Sequence, residues 1–283
     1  MTPPPGGPTV SLASFNVHCG VDGWGRPFDV VAECGALDVD LLVLQESWAP
    51  DDGGPSTAVA VADRLGYAHV VEAPMAHGRL YEPDPAADGR WGPPRGPDHD
   101  TLRLDGHVRG RTRALAQRRP FGTGTFGVAL LSRVPLHPGG VLALGRLPRD
   151  PASRVVITAA VTVGDRQLEV LATHMSHLLS RSPVQYLRLR RLVPTTDRPA
   201  VLAGDMNLWG PGVTTFLTGW RRAVRGRTWP AWRPHSQLDH VLVTPPVTVL
   251  DARVAIVSGS DHRPVRVTLG LRAADRHADG RSG

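Results

Sequence analysis

The sequence predicts an α/β protein of the α+β kind: one domain with a two-layer sheet core and helices packed outside it. Three observations point there. The chain holds many short apolar runs of strand length, at least two of them joined as a hairpin, and few segments of helical period between them. A doubly wound parallel sheet would instead alternate strand and helix regularly. Length alone, at 283 residues, allows one large domain or two small ones, and the 41% hydrophobic content is enough for a sizeable core.

The elements follow in order. Val10 to Val17 is the first strand, and Asp29 to Leu37 has the period of a short helix. Asp40 to Glu46 (DLLVLQE) is a fully apolar strand with a polar end, Ala58 to Leu65 a second helix, and Tyr67 to Glu72 a strand. From about Ala76 to Pro120 the chain is rich in Gly, Pro, Arg, Asp and His with no sustained period, which predicts an extended loop or insertion. Strands resume at Phe126 to Ser132, near Val141, at Arg154 to Val163 and at Gln167 to Thr173, the last two joined by a turn at Gly164-Asp165. Leu187 to Val193 lies in a helix, and Ala200 to Ala203, Leu238 to Val243, Thr248 to Val257 and Val265 to Leu271 are strands. The organisation is a disordered N-terminus over 1–9, a domain over 10–271 with an insertion near 76–120, and a polar disordered tail over 272–283.

Composition narrows the function classes. A formal charge of +6 favours a phosphate-rich partner. The chain contains no lysine, however, so an arginine excess from GC-rich codons competes with that reading. Cys19 and Cys34 form no disulfide framework or zinc pattern, and they fit a reducing cytoplasm. The MTPPPGGPTV start lacks the basic and apolar regions of a secretory signal, and no apolar run reaches membrane-spanning length. A soluble, cytoplasmic monomer without stable membrane association is the expectation.

The chemistry sits at strand ends. Asn16, Glu46, His174, Asp205 with Asn207, and Asp261 with His262 each end or follow an apolar run, whereas Asp239 lies inside one. Glu46 closes an unbroken apolar run, so its charge is costly unless paired or metal-bound; a solvated strand end is the other reading. Asn16 fits a turn former as well as a ligand. Asp205 and Asn207 alternate in GDMN, so both side chains can face one site. Asp261-His262 could shuttle protons or simply belong to a surface loop. Asp239 is the sharpest anomaly, since a buried carboxylate calls for a partner and a histidine is a natural one. Each feature is weak alone, and their joint occurrence in this order is strong.

In that order the motifs FNVH, LQE, FGVALLSR, THMSH, GDMN, TWPAWRP with LDHVLV, and SDHRPV resemble the endonuclease/exonuclease/phosphatase superfamily, which includes deoxyribonucleases, apurinic endonucleases, sphingomyelinases and inositol polyphosphate 5-phosphatases. The resemblance runs from about Val10 to Leu271, apart from the 76–120 segment. It implies a four-layer α/β/β/α sandwich with two packed mixed sheets and a site at one edge. It further implies Glu46 as principal ligand of Mg²⁺ or Mn²⁺, with Asn16 and Asp261 shaping that metal site. Asp205 would orient or deprotonate the attacking water, Asn207 and His174 would hold phosphoryl oxygens, and His262, paired with Asp239, would stabilise the pentacoordinate transition state. Arg154 is similar to a phosphate-contacting arginine of the family's nucleases. Two departures stand out: Arg222 occupies a position where an acid is common, and the carboxylate that partners the equivalent of His174 in pancreatic-type enzymes has no counterpart.

The implied activity is metal-dependent hydrolysis of a phosphate ester by in-line attack of water. A phosphodiesterase acting on DNA or RNA leads. It draws on the arginines of the insertion (Arg109, Arg111, Arg113, Arg118, Arg119) and on Trp220, Trp229 and Trp232, which could stack on bases or fill the core. Phospholipids or small phosphomonoesters keep the chemistry with another substrate. A catalytically silent binding module is the rival of another class, and the retention of every polar motif argues against it.

Overall fold

Apolar runs become strands because their side chains are buried on both faces, between two sheets on one side and under helices on the other. The structure is a computed structural model that describes residues 7–81, 102–105, 120–148, 150–177, 182–256 and 259–271. In chain order the elements are β1 (Thr9–Asn16), a 3-10 turn (His18–Gly20), α1 (Val30–Leu37), β2 (Leu41–Pro50), α2 (Thr57–Leu65), β3 (His69–Tyr81), β4 (Leu102–Leu104), β5 (Pro120–Ser132) and β6 (Leu136–Arg146). They continue with β7 (Ser153–Val163), β8 (Arg166–His174), α3 (Pro183–Leu192), β9 (Ala200–Asp205), α4 (Gly212–Phe216), β10 (Arg221–Arg222), β11 (Asp239–Val243), β12 (Val247–Val254) and β13 (Val265–Leu271).

A seven-stranded sheet has the order β12-β13-β1-β2-β5-β3-β4, and a six-stranded sheet the order β10-β11-β9-β8-β7-β6. Three apolar clusters fill the layers. Leu12, Leu41, Val43, Val128, Ile157, Val170, Val201, Val241 and Val267 belong to the cluster between the sheets. Phe15, Leu42, Leu44 and Leu131 face α1 and α2, while Leu171, Leu202 and Leu242 face Tyr186 and Leu189 of α3 and Val213 of α4. This is the four-layer sandwich that the sequence motifs imply. Among the described residues no helix is long and apolar enough to cross a membrane.

Strand direction places the site. β1 runs parallel to β2 and β8 runs parallel to β9, while the other pairings are antiparallel, so both sheets are mixed. Parallel neighbours end on the same edge, which brings Asn16 beside Gln45 and His174 beside Asp205. β11 starts where β9 stops, so Asp239 pairs with Asp205. The β8–β9 approach depends on Gly204, where any Cβ would collide with the Thr173 carbonyl.

The structure departs from the sequence reading in several places; β2, for one, continues past Glu46 to Pro50 and pairs with β5 to its end. β3 continues to Tyr81 and pairs with β5 as far as Pro120, and β4 adds to its other side, so the expected 76–120 loop is bounded by strand. Backbone pairing needs no apolar alternation, which is why that composition concealed it. Residues 82–101 and 106–119, with the five arginines, lie outside the described residues, as do the first six and the 272–283 tail. β6 is a full edge strand rather than a short run near Val141. Pro138, Gly139 and Gly140 mask its pattern, and bulges at Pro138/Gly140 and Ala143/Gly145 are usual for an edge. α3 starts four residues early, at Pro183, whose fixed φ suits the first helical turn.

Helix α2 has a clear start signal, because the Ser56 side chain accepts from the Val59 amide 3.1 Å away. Ser56→Ala should destabilise the fold by about 1 kcal/mol and Ser56→Gly by a few tenths. Urea unfolding midpoints measure this, and equal losses for the two variants would show that the cap is not responsible.

Candidate active site

Asn16 is the hinge of the site. Its Nδ2 donates to Glu46 Oε1 at 3.1 Å and to Asp205 Oδ2 at 3.1 Å, and its Oδ1 accepts from the His18 amide at 3.0 Å. One amide therefore ties β2 of one sheet to β9 of the other. Glu46 is the extra residue of a β-bulge that opens between Gln45 and Ser47, and it holds a φ of 57°. That left-handed conformation is costly for a non-glycine residue and turns the carboxylate out of the strand's alternation into the site. Burial pushes the Glu46 carboxyl above its ordinary range and Asp261 adds to this, while His18, the Asn16 amide and His262 pull it back.

Asp261 stands on the same side. Its Oδ2 accepts from the Trp229 indole at 3.2 Å, and its Oδ1 lies 3.6 Å from His18 Nδ1. Burial would raise its carboxyl, but His18, His262, Trp229 and Ser260 together hold it below the usual range. The carboxylate oxygens of Glu46 and Asp261 are the hard donors that suit a divalent cation of the Mg²⁺ or Mn²⁺ type, with Asn16 orienting Glu46 through its Nδ2. Glu46 is a half-buried carboxyl in the bulge of β2 that accepts from the neutral Asn16 amide, so a cation would offset the cost of its charge.

On the other side Asp205, Asp239 and His262 form a buried cluster whose ligating atoms all lie within 4.8 Å of one another. These three could also hold a metal by type and spacing, but His262 is already committed. Its Nδ1 pairs with Asp239 Oδ2 at 2.9 Å, and its Nε2 lies 3.8 Å from Asp205 Oδ2. Burial alone would lower the His262 pKa, yet Asp239, Asp261 and Asp205 raise it well above the ordinary value. The Asp239–His262 pair has the geometry of a carboxylate–imidazole pair equipped to move and stabilise protons.

His174 takes the opposite state. Burial, reinforced by the Arg154 guanidinium and His262, pushes its pKa down to about 3. Its Nε2 lies 3.2 Å from Asn207 Nδ2 and 3.5 Å from Asp205 Oδ2. Asn207 has a φ of 48°, its side chain donates to the Met175 carbonyl at 3.0 Å, and its backbone amide donates to Asp205 Oδ1 at 2.9 Å. The alternation in GDMN thus does deliver both side chains to one place.

Arg154 is buried. It forms a two-pronged pair with Asp150, led by a 2.8 Å Nε to Oδ2 contact, and its third nitrogen reaches the His174 carbonyl at 3.4 Å. Ser176 donates to the same Asp150 carboxylate. The arginine is therefore held against the His174 backbone and is not an exposed strand end. The structure brings together Asn16, Glu46, His174, Asp205, Asn207, Asp239, Asp261 and His262, and sets Arg154 just behind them. Sequence reading had assigned no role to His18 or Asp150. His18 lies within the FNVH motif, so a signal existed, whereas Asp150 in LPRDPAS carries none.

Residues 13–262 match the sequence profile of the Endonuclease/Exonuclease/phosphatase family. The chain belongs to that family. Its members are metal-dependent phosphoesterases, and this chain is a hydrolase of that kind. Similar solved structures share the fold over almost the whole chain. An endonuclease/exonuclease/phosphatase from Beutenbergia cavernae is 22% identical with a TM-score of 0.64, covering 94% of this chain and 72% of that one. The human Nocturnin catalytic domain with bound sulfate is 16% identical with a TM-score of 0.59, covering 94% of each chain. D. rerio TDP2 complexed with a single-strand DNA product is 14% identical with a TM-score of 0.54, covering 93% and 99%. Among curated proteins none gives a significant sequence match.

His174 Nδ1 is buried with no hydrogen-bond partner among the described residues. Arg222 in β10 donates to Gln237 Oε1, so the position has become part of a structural contact.

The raised His262 pKa makes a stability prediction. A histidine raised in the folded state contributes stability that is fully present below its unfolded value of about 6.5 and is lost as pH rises through the folded value. Asp239→Asn removes the strongest raising charge, so thermal unfolding of this variant should depend less on pH between 6 and 9 than the wild type. Parallel curves for the two proteins would contradict the pairing.

Proposed function

We propose that the chain is a divalent-metal-dependent phosphodiesterase that hydrolyses nucleic acid by in-line water attack, acting as a monomer. The observation that carries the chemistry is the convergence of Asn16, Glu46, His174, Asp205, Asn207, Asp239 and His262 at one edge of the two sheets. The net charge of +6 and the fold shared with a protein bound to a DNA product favour a nucleic-acid substrate over a neutral ester.

Glu46, with Asn16 and Asp261 beside it, would hold Mg²⁺ or Mn²⁺, which when bound would polarise a phosphoryl oxygen and neutralise developing charge. Asp205 orients the attacking water and accepts its proton, with its Oδ2 fixed by Asn16 and its Oδ1 by the Asn207 amide. Asn207 and His174 stand beside Asp205 on the side where the non-bridging oxygens would lie. His262, kept cationic by Asp239, stabilises the extra negative charge of the pentacoordinate transition state. Arg154, anchored by Asp150, supplies a fixed positive potential behind the phosphate.

Hydrolysis should require added Mg²⁺ or Mn²⁺ and stop with chelator. Glu46→Ala and His262→Ala should each lower kcat by about 10²-fold or more while thermal unfolding shows a folded chain. The rates are measured on single- and double-stranded DNA, RNA, sphingomyelin, inositol phosphates and bis-p-nitrophenyl phosphate. Metal-independent turnover or undiminished variants would refute the mechanism, and turnover of the lipid or inositol substrates alone would refute the nucleic-acid assignment.

A further inference from the structure

The tryptophans beside the site have different fates. Trp220 is core, and the Trp229 indole serves Asp261, but Trp232 remains 40% exposed. Trp232 follows Ala231, whose amide donates to the Asp261 backbone carbonyl at 2.6 Å, so the ring is carried on the turn that contacts the Asp261 side of the site. It packs on Trp24 with centroids 5.1 Å apart and planes tilted by 53°. The Arg26 guanidinium lies 5.0 Å above the Trp24 ring.

This assembly is built rather than incidental. Gly23 sits where any Cβ would collide with the six-membered ring of Trp232, so the loop backbone itself forms the seat for that ring. Asp22 holds the loop's shape: its Oδ1 accepts from the Trp24 and Arg26 amides at 2.9 Å each, and its Oδ2 accepts from Arg26 Nε at 2.8 Å. The Trp24 indole nitrogen is buried without a hydrogen-bond partner among the described residues, a cost that core packing does not explain. The same loop starts at His18, 3.6 Å from Asp261 Oδ1. An aromatic face and a guanidinium, both partly open to solvent and fixed beside the phosphate site, match a planar heteroaromatic ring linked to an anion.

We infer that Trp232, Trp24 and Arg26 form a stacking subsite for a nucleobase of the substrate, next to the scissile phosphate on the Asp261 side. The inference rests on the nucleic-acid reading above and sharpens it from backbone binding to base contact. Base stacking tolerates any base, so the subsite prefers bases over no base and does not read sequence.

The test compares two single-stranded oligonucleotides of equal length and charge, one with ordinary bases and one made of abasic tetrahydrofuran nucleotides. Both are given to the full chain with Mn²⁺. The wild type should prefer the base-bearing strand by ~10-fold or more, mainly through KM. In Trp232→Ala that preference should collapse toward unity, and Trp232→Phe, which keeps a stacking face, should restore most of it. A preference retained in Trp232→Ala, or never present in the wild type, overturns the subsite while the nuclease reading stands. Hydrolysis of neither strand, with turnover of another phosphate ester, overturns the nuclease reading and the subsite with it. Sedimentation with phosphatidylcholine vesicles that is lost in Trp232→Ala reassigns the aromatic face to a lipid surface and also overturns the proposal.

Discussion

A single side-chain amide joins the two halves of the site. Asn16 ends the first strand of the chain, and its Nδ2 hydrogens point to carboxylates that arrive 30 and 189 residues later on different sheets. Two carboxylates facing one amide would repel without a donor between them, and the Asn16 Nδ2 supplies that donor. The rest of the arrangement depends on this constraint. The sheets must pack so that β1, β2 and β9 finish on one edge, and the parallel pairing of β1 with β2 and β8 with β9 secures it.

Charge is then divided across that bridge. The Glu46 side has oxygen donors and the unfavourable burial that a cation relieves. On the Asp205 side the pairing with Asp239 raises the His262 pKa, while burial and the nearby Arg154 lower that of His174. The histidines differ because carboxylates surround one and Arg154 faces the other. Strained backbone marks both sides of the bridge, at Glu46 and Asn207, where function and not chain geometry dictates where the side chain points.

Much of this was legible in the residues. Apolar runs mark the central strands, and the candidate site is marked by the joint occurrence of polar groups at or near their ends, since each group alone reads equally as a turn or a solvated end. Asp239, the residue singled out as a buried carboxylate in need of a histidine, does pair with His262. The illegible parts share a physical cause: they depend on partners distant in sequence or on backbone pairing. The reach of β3 to Tyr81 and the whole of β4 rest on hydrogen bonds to β5 and β3 that composition does not encode. Asp150 has no local signal, since its role exists only once β7 and the segment after β8 bring Arg154 and Ser176 to it. The bulge that turns Glu46 inward is equally silent in LQES.

The central claim is that the cation is bound on the Glu46 side of the Asn16 bridge while Asp239 and His262 remain a charged pair. Electron paramagnetic resonance of Mn²⁺ titrated into the wild type, Glu46→Gln and Asp239→Asn separates the two clusters. The account predicts strong Mn²⁺ binding in the wild type and in Asp239→Asn, and its loss in Glu46→Gln. Binding that survives in Glu46→Gln and disappears in Asp239→Asn would place the metal on the Asp205 cluster and contradict it.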